Sequence, residues 1–250
     1  MPRFFVTKEQ IQEEKDAKRI IITGDDAHHI SYSLRMAKGD RVEVVDMQKN
    51  VYDCITENFS DGCVTLTVES ERKSDTEPTI FIKLYQALPK GDKFETIIQK
   101  SVECGVCEIT PFISERCIAK IDKKDEGRKT ERWQKISESA SKQSGRGIIP
   151  KIKVPISYKE MVAEASECDL FLFCYEGDNT ESIKNVLQSL NWKITHTVSL
   201  VIGSEGGFSQ KEAELARQNG AKLAGLGKRI LRCETAAPFA LACIAYETEF

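Results

Sequence analysis

Three glycine-bearing loops in the C-terminal half of the chain are the first residues that point to chemistry. Each follows an apolar stretch, and they comprise Tyr175-Glu176-Gly177, Gly203 to Gly207, and Gly225 to Arg232. Glycine lets the backbone turn tightly and approach a ligand with no side chain in the way. Ligands of α/β proteins bind beyond the carboxyl ends of parallel strands, so loops of this kind predict a binding site.

These loops do not match the common ligand-binding templates. The chain has no G-x-G-x-x-G run and no Gly-Lys-Ser/Thr phosphate loop, and Gly203-Ser204-Glu205 is not a G-x-S-x-G elbow. Ordinary NAD, ATP and serine-hydrolase sites are therefore disfavoured. Ser209 and Glu212 form a capping box that begins a helix, and Gly220 ends it. A plain turn that needs positive φ is the alternative for the glycines.

The last loop adds Lys228, Arg229 and Arg232 beside its glycines, and this cluster indicates an anionic substrate. A final helix follows, capped by Thr235 or a residue near it, with Pro238 tolerated in its first turn.

Metal chemistry has little support. Cys104 and Cys107 have the spacing of a zinc half-site or redox motif, but no second pair follows at a suitable distance. His28 and His29 lack a third ligand, so helix capping or an RNA contact is the better interpretation. The nine cysteines lie mostly in apolar segments, as buried thiols do in a reducing compartment. We predict no metal.

The elements that must position these loops fall into two groups. Residues 1–72 mostly alternate apolar and polar positions, with predicted strands at 41–46, 50–57 and 63–70, turns at 48–50 and 60–62, and a helix at 25–37. This pattern predicts a small antiparallel barrel or sheet. The polar segment 71–78 contains Pro78 and marks a domain boundary, which gives domains 1–72 and 73–250.

From residue 79 strands and helices alternate. Apolar runs predict strands at 79–88, 106–112, 169–177 and 195–203, and amphipathic segments predict helices that include 92–103 and 127–145. The predicted fold class is α/β with a mainly parallel sheet. Residue patterns by themselves favour an open doubly wound arrangement.

Charge is distributed unevenly along the 250 residues. The net charge is only −3, yet residues 116–153 contain twelve lysines and arginines, Lys120 among them, against five acids, while residues 1–72 hold ten basic and fourteen acidic side chains. The basic segment predicts a docking face for an anion such as nucleic acid, and a solvated helix face is the alternative. No apolar run has membrane length and no secretion signal is evident, so we expect a soluble, cytoplasmic protein with no membrane partner.

Six segments in order resemble the RsmE family of bacterial ribosomal RNA methyltransferases, within the SPOUT superfamily. They are HHISYSLRMAKGDRVEVVD, LYQALPKGDKFE, ECGVCEITPF, KQSGRGIIPKI, GSEGGFS and LGKRILRCETA. The resemblance covers nearly the whole chain. Cys104 stands where the family's E-L-G-V motif has leucine, a conservative apolar change.

The resemblance implies a methyl donor, an acceptor and a fold. The donor is S-adenosylmethionine (SAM), and the acceptor is N3 of one uridine in the 16S rRNA of the small ribosomal subunit. It also implies a homodimer, with a PUA-like β-barrel RNA-binding domain at 1–72. The SPOUT domain at 73–250 would carry a C-terminal trefoil knot in place of the open doubly wound sheet.

The same resemblance assigns roles to individual residues. SAM contacts are expected from Gly203, Leu226, Gly227, Ile230 and Leu231, and also from Cys174, Gly207 and Thr235. The chemistry of methyl transfer to N3, and not the resemblance, makes Arg232 the candidate to stabilise the uridine anion and Glu205 the candidate to accept the N3 proton or position the base. An ordinary acidic residue that caps the loop is the alternative for Glu205. Gln143 and Arg146 match the family pattern and are expected RNA contacts, beside Lys90 and Arg116. Arg3 and Arg35 are expected phosphate contacts in the small domain, and solvated surface positions are the alternative for these two.

Several alternatives stay open at this point. Cys233 lies beside Arg232, which would favour a thiolate of the kind that attacks C6 in C5-methylating enzymes. Methylation at N3 needs no such adduct, so we favour a packing role for Cys233. Two further alternatives are a protein that binds RNA without catalysis and an enzyme that methylates another RNA base or atom. A metabolic enzyme for a phosphorylated small molecule would leave the basic segment and the first domain without a role.

Overall fold

The computed structural model describes residues 1–14, 17–60, 62–119 and 121–250. The chain forms two compact units, one of Met1–Glu77 with Ser141–Ile149 and one of Pro78–Ala140 with Pro150–Phe250. The boundary expected after residue 72 falls inside a strand, and residues 141–149 add a second segment to the first unit. Asp61 in a predicted turn and Lys120 in the basic segment lie outside the described residues.

The first unit is built on a six-stranded mixed sheet. Its strands are β1 (Arg3–Phe5), β2 (Ile11–Glu14), β3 (Ala17–Thr23), β4 (Arg41–Val45), β5 (Asn50–Ser60) and β6 (Cys63–Lys73). Their order is β1-β4-β5-β6-β3-β2, with β1 parallel to β4 and the other pairs antiparallel. The three predicted strands are present.

The helix predicted over 25–37 is shorter and changes its winding. Helix α1 (Gly24–His28) passes into a single π-helical turn over His29–Ser33. Arg35 then adopts a φ of 52°, which ends the helical path. Ala27 and Ile30 face the core that alternate strand residues such as Ile20, Val42 and Leu66 form.

The second unit has an eight-stranded sheet in which every described pairing is parallel. Its strands are β7 (Phe81–Ala87), β8 (Glu108–Ile113), β9 (Lys151–Ile152), β10 (Ile156–Ser157), β11 (Leu170–Cys174), β12 (Glu181–Ser182), β13 (Thr197–Ile202) and β14 (Lys222–Gly225). The order is β10-β8-β7-β13-β11-β14-β12, and β9 pairs with β8. The predicted α/β fold with a mainly parallel sheet is confirmed.

Helices cover both faces of this sheet. They are α2 (Lys93–Glu103), α3 (Lys123–Ser144), α4 (Tyr158–Ala165), α5 (Ile183–Gln188), α6 (Gln210–Gln218) and α7 (Cys233–Glu249). On one face Leu84 and Leu200 pack in a cluster with residues of α2, α5 and α7, and on the other Tyr85 and Val201 pack with residues of α4 and α6. Strands buried on both faces read as continuous apolar runs, which is why the sequence pattern revealed them.

Across the described stretches, we find no helix with the length and apolarity needed to span a membrane.

Candidate functional site

A cavity of about 880 Å³ lies within the second unit, at the carboxyl ends of β11, β13 and β14. These three strands are neighbours in the sheet, so the loops that leave them converge. The lining consists of residues 174–177, 180, 202–208, 210, 225–233 and 236, together with Arg116. All three glycine loops singled out from the sequence therefore meet at one site.

The loop over 203–207 is a tight turn in which two of the three glycine positions are too crowded for an ordinary side chain. The N–H of Gly207 donates to the carbonyl of Ser204 at 2.9 Å, which closes a tight turn, and Gly207 has a φ of 60°. A Cβ on Gly203 would lie 3.1 Å from the Gly207 Cα, and one on Gly206 would lie 3.0 Å from the Arg116 Cβ. Because Gly203, Gly206 and Gly207 carry no side chain, a ligand in the cavity can approach the backbone of this turn closely.

Three outside contacts hold the 203–207 turn in place. The buried Gln86 amide donates to the carbonyl of Gly203 at 3.0 Å, and Arg116 Nη1 donates to the carbonyl of Gly206 at 3.1 Å. Glu205 accepts Lys93 Nζ at 2.7 Å and the backbone N–H of Lys90 at 3.2 Å. Contacts with β7, the start of α2 and the loop after β8 therefore preform the turn before a ligand arrives.

Glu205 is held in its ionised form. Burial raises its pKa, but the hydrogen bonds from Lys93 and from backbone N–H groups outweigh this effect and lower the pKa below the ordinary value. The pKa of Lys93 is raised in return, chiefly by its hydrogen bond to Glu205. A carboxylate with a lowered pKa is a weak base, so this geometry favours positioning over proton transfer.

The cysteines at the cavity are protonated. Burial, a hydrogen bond to Glu234 and the charges of Glu205 and Glu234 raise the pKa of Cys233 to about 12. Burial likewise raises the pKa of Cys174. Cys233 Sγ lies 3.3 Å from Glu234 Oε2 and its side chain is buried, so the structure gives no support to a thiolate nucleophile.

The sulfur of Cys107 donates to the backbone carbonyls of Ile80 at 3.8 Å and Gly105 at 3.7 Å. Within residues 1–14, 17–60, 62–119 and 121–250, no three His, Cys, Asp or Glu side chains are grouped to hold a metal ion.

The backbone of Arg232 helps to start helix α7, and its guanidinium is exposed at the cavity. Its carbonyl accepts the N–H groups of Thr235 and Ala236, each at 2.8 Å, and thereby begins α7. Its side chain lines the cavity and is exposed, as are those of Lys228 and Arg229. None of the three cations has a hydrogen bond or ion pair with the part of the chain that the structure describes. They remain available to an anion.

The expected SAM contacts mostly line the cavity. Cys174, Gly203, Gly207, Leu226, Gly227, Ile230 and Leu231 all do so. Leu226 and Leu231 are half-buried against the core, whereas Ile230 is 84% exposed at the rim. Thr235 lies in the first turn of α7 and is not part of the lining, while Ala236 is.

Two of the expected RNA contacts, Arg3 and Arg146, have largely buried side chains and are paired within the first unit. The Arg146 guanidinium is 4% exposed and pairs with Glu77 at 2.8 Å, while Glu77 also accepts the N–H of Gly147 at 2.7 Å. Arg3, with a side chain 10% exposed, pairs with Glu43 and donates to the carbonyls of Gly145 and Arg146. Both arginines hold residues 141–149 within the first unit, so neither is accessible to a phosphate.

The other expected RNA contacts are accessible. Arg35, Lys90 and Gln143 are exposed, and Arg116 lines the cavity. Lys93 was not singled out from the sequence, although it stands in the motif LYQALPKGDKFE. Only its pairing with Glu205, which is distant along the chain, reveals its importance.

Comparison with known proteins places the chain in a family. A model described as an RNA methyltransferase domain matches residues 76–245. The ribosomal RNA small subunit methyltransferase E of Bacillus subtilis (strain 168) is 33% identical, covering 100% of this chain and 98% of its own. The chain belongs to the methyltransferase E family. The membership predicted from the six motifs is thus confirmed.

Solved structures agree with this placement. A methyltransferase E from Neisseria gonorrhoeae bound to SAM has a TM-score of 0.84 and 27% identity, covering 98% of this chain and 97% of that one. A putative methyltransferase from Legionella pneumophila in complex with SAM has a TM-score of 0.84 and 31% identity, covering 98% and 96%.

Proposed function

We propose that this chain transfers the methyl group of SAM to N3 of a uridine in 16S rRNA. The observation that carries the proposal is the cavity itself, where bare glycine backbone and accessible cations meet at the ends of three adjacent parallel strands. Relatives named as small-subunit rRNA methyltransferases support the acceptor, and the two solved structures in complex with SAM support the donor.

The cavity residues fit SAM in size and chemistry. A volume of about 880 Å³ lies within the range of small-molecule sites. Gly203, Gly206 and Gly207 let the donor approach the backbone closely, and Leu226 and Leu231 offer apolar surface for the adenine ring. When bound, SAM supplies an electrophilic methyl group on a sulfonium.

Arg232 has the properties needed to help the acceptor. The N3 of uridine is mostly protonated at neutral pH, so the reaction requires stabilisation of its anion. A guanidinium at the cavity stabilises that charge as it develops. Alignment of the nitrogen with the methyl group supplies a further share, up to roughly 7–11 kcal/mol in the best cases.

Glu205 acts in this scheme as a positioning residue. Its carboxylate is ionised and bound to Lys93, so the N3 proton passes to solvent at the open side of the cavity instead. Its ion pair with Lys93 of α2 keeps the 203–207 turn in the conformation that binds SAM.

RNA is held by exposed cations in this proposal. Lys228 and Arg229 flank the cavity, and Arg35, Lys90, Arg116 and Gln143 supply further contacts. We assign the first unit to a PUA-like RNA-binding domain and the second to a SPOUT domain with a C-terminal trefoil knot, acting in the cytoplasm. The parallel sheet, the mixed sheet and the relatives support these assignments.

The working form we propose is a homodimer formed through α7. Phe239, Ala242 and Tyr246 are exposed and follow each other at helical spacing, so they lie on one face. Tyr246 is 71% exposed, which is unusual for a large ring on a helix that otherwise packs on the sheet. A second copy of the same face covers this stripe.

Mass mapping of methylated nucleosides in rRNA tests the proposal. A strain that lacks this chain should lose N3-methyluridine from its 16S rRNA and regain it when the gene is restored. An unchanged N3-methyluridine signal would contradict the assignment. Calorimetry separates the binding-only alternative, since stoichiometric SAM binding is expected and its absence would exclude methyl transfer.

A further inference from the structure

The side chains of Arg3 and Arg146 are largely buried, but the first unit has a different surface feature that suits RNA, an exposed pair of aromatic rings. Tyr32 and His28 are four residues apart on the outer side of α1 and its π-helical turn. Their ring centroids are 4.6 Å apart with an interplanar angle of 31°. Tyr32 is 70% exposed. One face of its ring therefore rests on His28, and the other is open to solvent.

The helical segment that carries this aromatic pair is packed on the core of the first unit. Ala27 and Ile30 are buried on the inner side, and His29 makes an edge contact with Phe4, with centroids 6.3 Å apart. Lys142 donates to Asp26 at 2.8 Å, which neutralises one acidic side chain of α1. The aromatic pair is consequently carried by a segment whose inner side is buried.

We propose that Tyr32, supported by His28, is a stacking platform for an unpaired nucleobase of the RNA substrate. Sequence-tolerant recognition of unpaired RNA uses exposed aromatic faces together with nearby cations. Arg35 is exposed one turn after Tyr32, and Lys38 is exposed beyond it. Arg35 has a φ of 52°, so the chain turns sharply directly after the platform. This inference rests on the proposed action on rRNA.

Fluorescence of 2-aminopurine gives a direct test, because the base is quenched when it stacks on an aromatic ring. The full chain is titrated into a short unpaired RNA that carries one 2-aminopurine. Wild type and Tyr32→Phe should quench the probe and bind alike. Tyr32→Ala should lose most of the quenching and bind more weakly by about tenfold, within the range reported for one base on one ring. Met47→Ala, another exposed side chain of the same unit, should match wild type.

A fully paired RNA of the same length separates stacking from general attraction, since its bases are already stacked. Tyr32→Ala should bind it as wild type does. Equal quenching and equal affinity of Tyr32→Ala and wild type for the unpaired probe would overturn the platform, as would a lack of quenching by wild type. Methyl transfer to small subunits is measured in parallel. If wild type methylates them while the platform test fails, the proposed function stands and only the platform falls.

Discussion

The carboxylate of Glu205 lies 2.7 Å from the Lys93 ammonium and also accepts the N–H of Lys90. Both partners belong to the segment that starts α2, so one side chain links the glycine turn to a separate element. A general base works best with a pKa near the operating pH. The pKa of Glu205 is shifted the other way, and the residue is better suited to hold the turn than to take a proton.

Replacing Glu205 by Gln separates these two roles. If Glu205 is a positioning residue, Glu205→Gln should weaken SAM binding by about fivefold, in line with a partly exposed ion pair worth up to ~1 kcal/mol. The kcat at saturating SAM should then stay near the wild-type value. Calorimetry and single-turnover methyl transfer measure the two quantities. Lys93→Gln should give a similar loss, and the double variant should lose little more. A fall in kcat of about 10²–10⁴-fold with unchanged SAM affinity would instead identify a general base.

The glycines of the 203–207 turn differ in why they are needed, and substitutions reveal the difference. A side chain on Gly203 collides with Gly207, so Gly203→Val should abolish SAM binding in calorimetry while RNA affinity is largely kept. Gly207 has open space around it and is constrained only by its φ of 60°. Gly207→Asn should therefore be tolerated, whereas Gly207→Val should cost about 1–2 kcal/mol or more of turn stability and weaken SAM binding. Equal effects of Asn and Val would contradict this account.

Helix α3 and the residues after it show how a basic segment is divided between structure and binding. Several of its cations are paired, including Arg132 with Glu95 at 2.7 Å and Lys153 with Glu108 at 3.1 Å. Arg146 is paired as well, with Glu77. Those acids are far away along the chain, so charge counting could not detect them. The helix itself was predictable because its periodicity is local, and the role of each cation was not.

The Glu77–Arg146 pair predicts a specific response to pH. Burial raises the pKa of Glu77, but Arg146 and the N–H groups of Gly147 and Ile148 lower it overall below 4.5. A lowered pKa means that the stabilisation is present above the unfolded-state value and is lost as pH falls through the folded-state value. Glu77→Gln should lower the free energy of unfolding by about 3–5 kcal/mol in urea at neutral pH, because it removes the buried carboxylate that pairs with the buried Arg146 guanidinium.

The difference in stability between wild type and Glu77→Gln should narrow as the pH falls from 4.5 through the lower folded-state pKa of Glu77, because Glu77 is uncharged, like glutamine, only below that pKa. Arg146→Met serves as the matched variant. If it kept wild-type stability but lost RNA affinity, Arg146 would be an RNA contact after all.

At the scale of the whole molecule, the sequence predicted the parallel sheet and the convergence of the glycine loops. Parallel strands place their carboxyl ends at one edge of a sheet, so loops such as 203–207 and 225–232 had to meet once the strands were identified. Residues 141–149 were not assigned to the first unit. That placement depends on Arg3 and Glu77, whose contacts with this segment span much of the chain. Topology of this kind follows from long-range pairing and leaves no local pattern.

The proposed homodimer can be tested with substitutions on the exposed face of α7. Phe239 and Tyr246 are 37% and 71% exposed on one face, and a stable interface needs roughly 800 Å² per partner with large rings at its centre. Wild type should sediment as a dimer, and Phe239→Asp with Tyr246→Asp should sediment as a folded monomer because two carboxylates would be buried against each other. Ile194→Asp, at a site that is 69% exposed in the segment between α5 and β13, should remain dimeric. A monomeric wild type, or a double variant that still forms dimers, would show that this face is not the contact between copies.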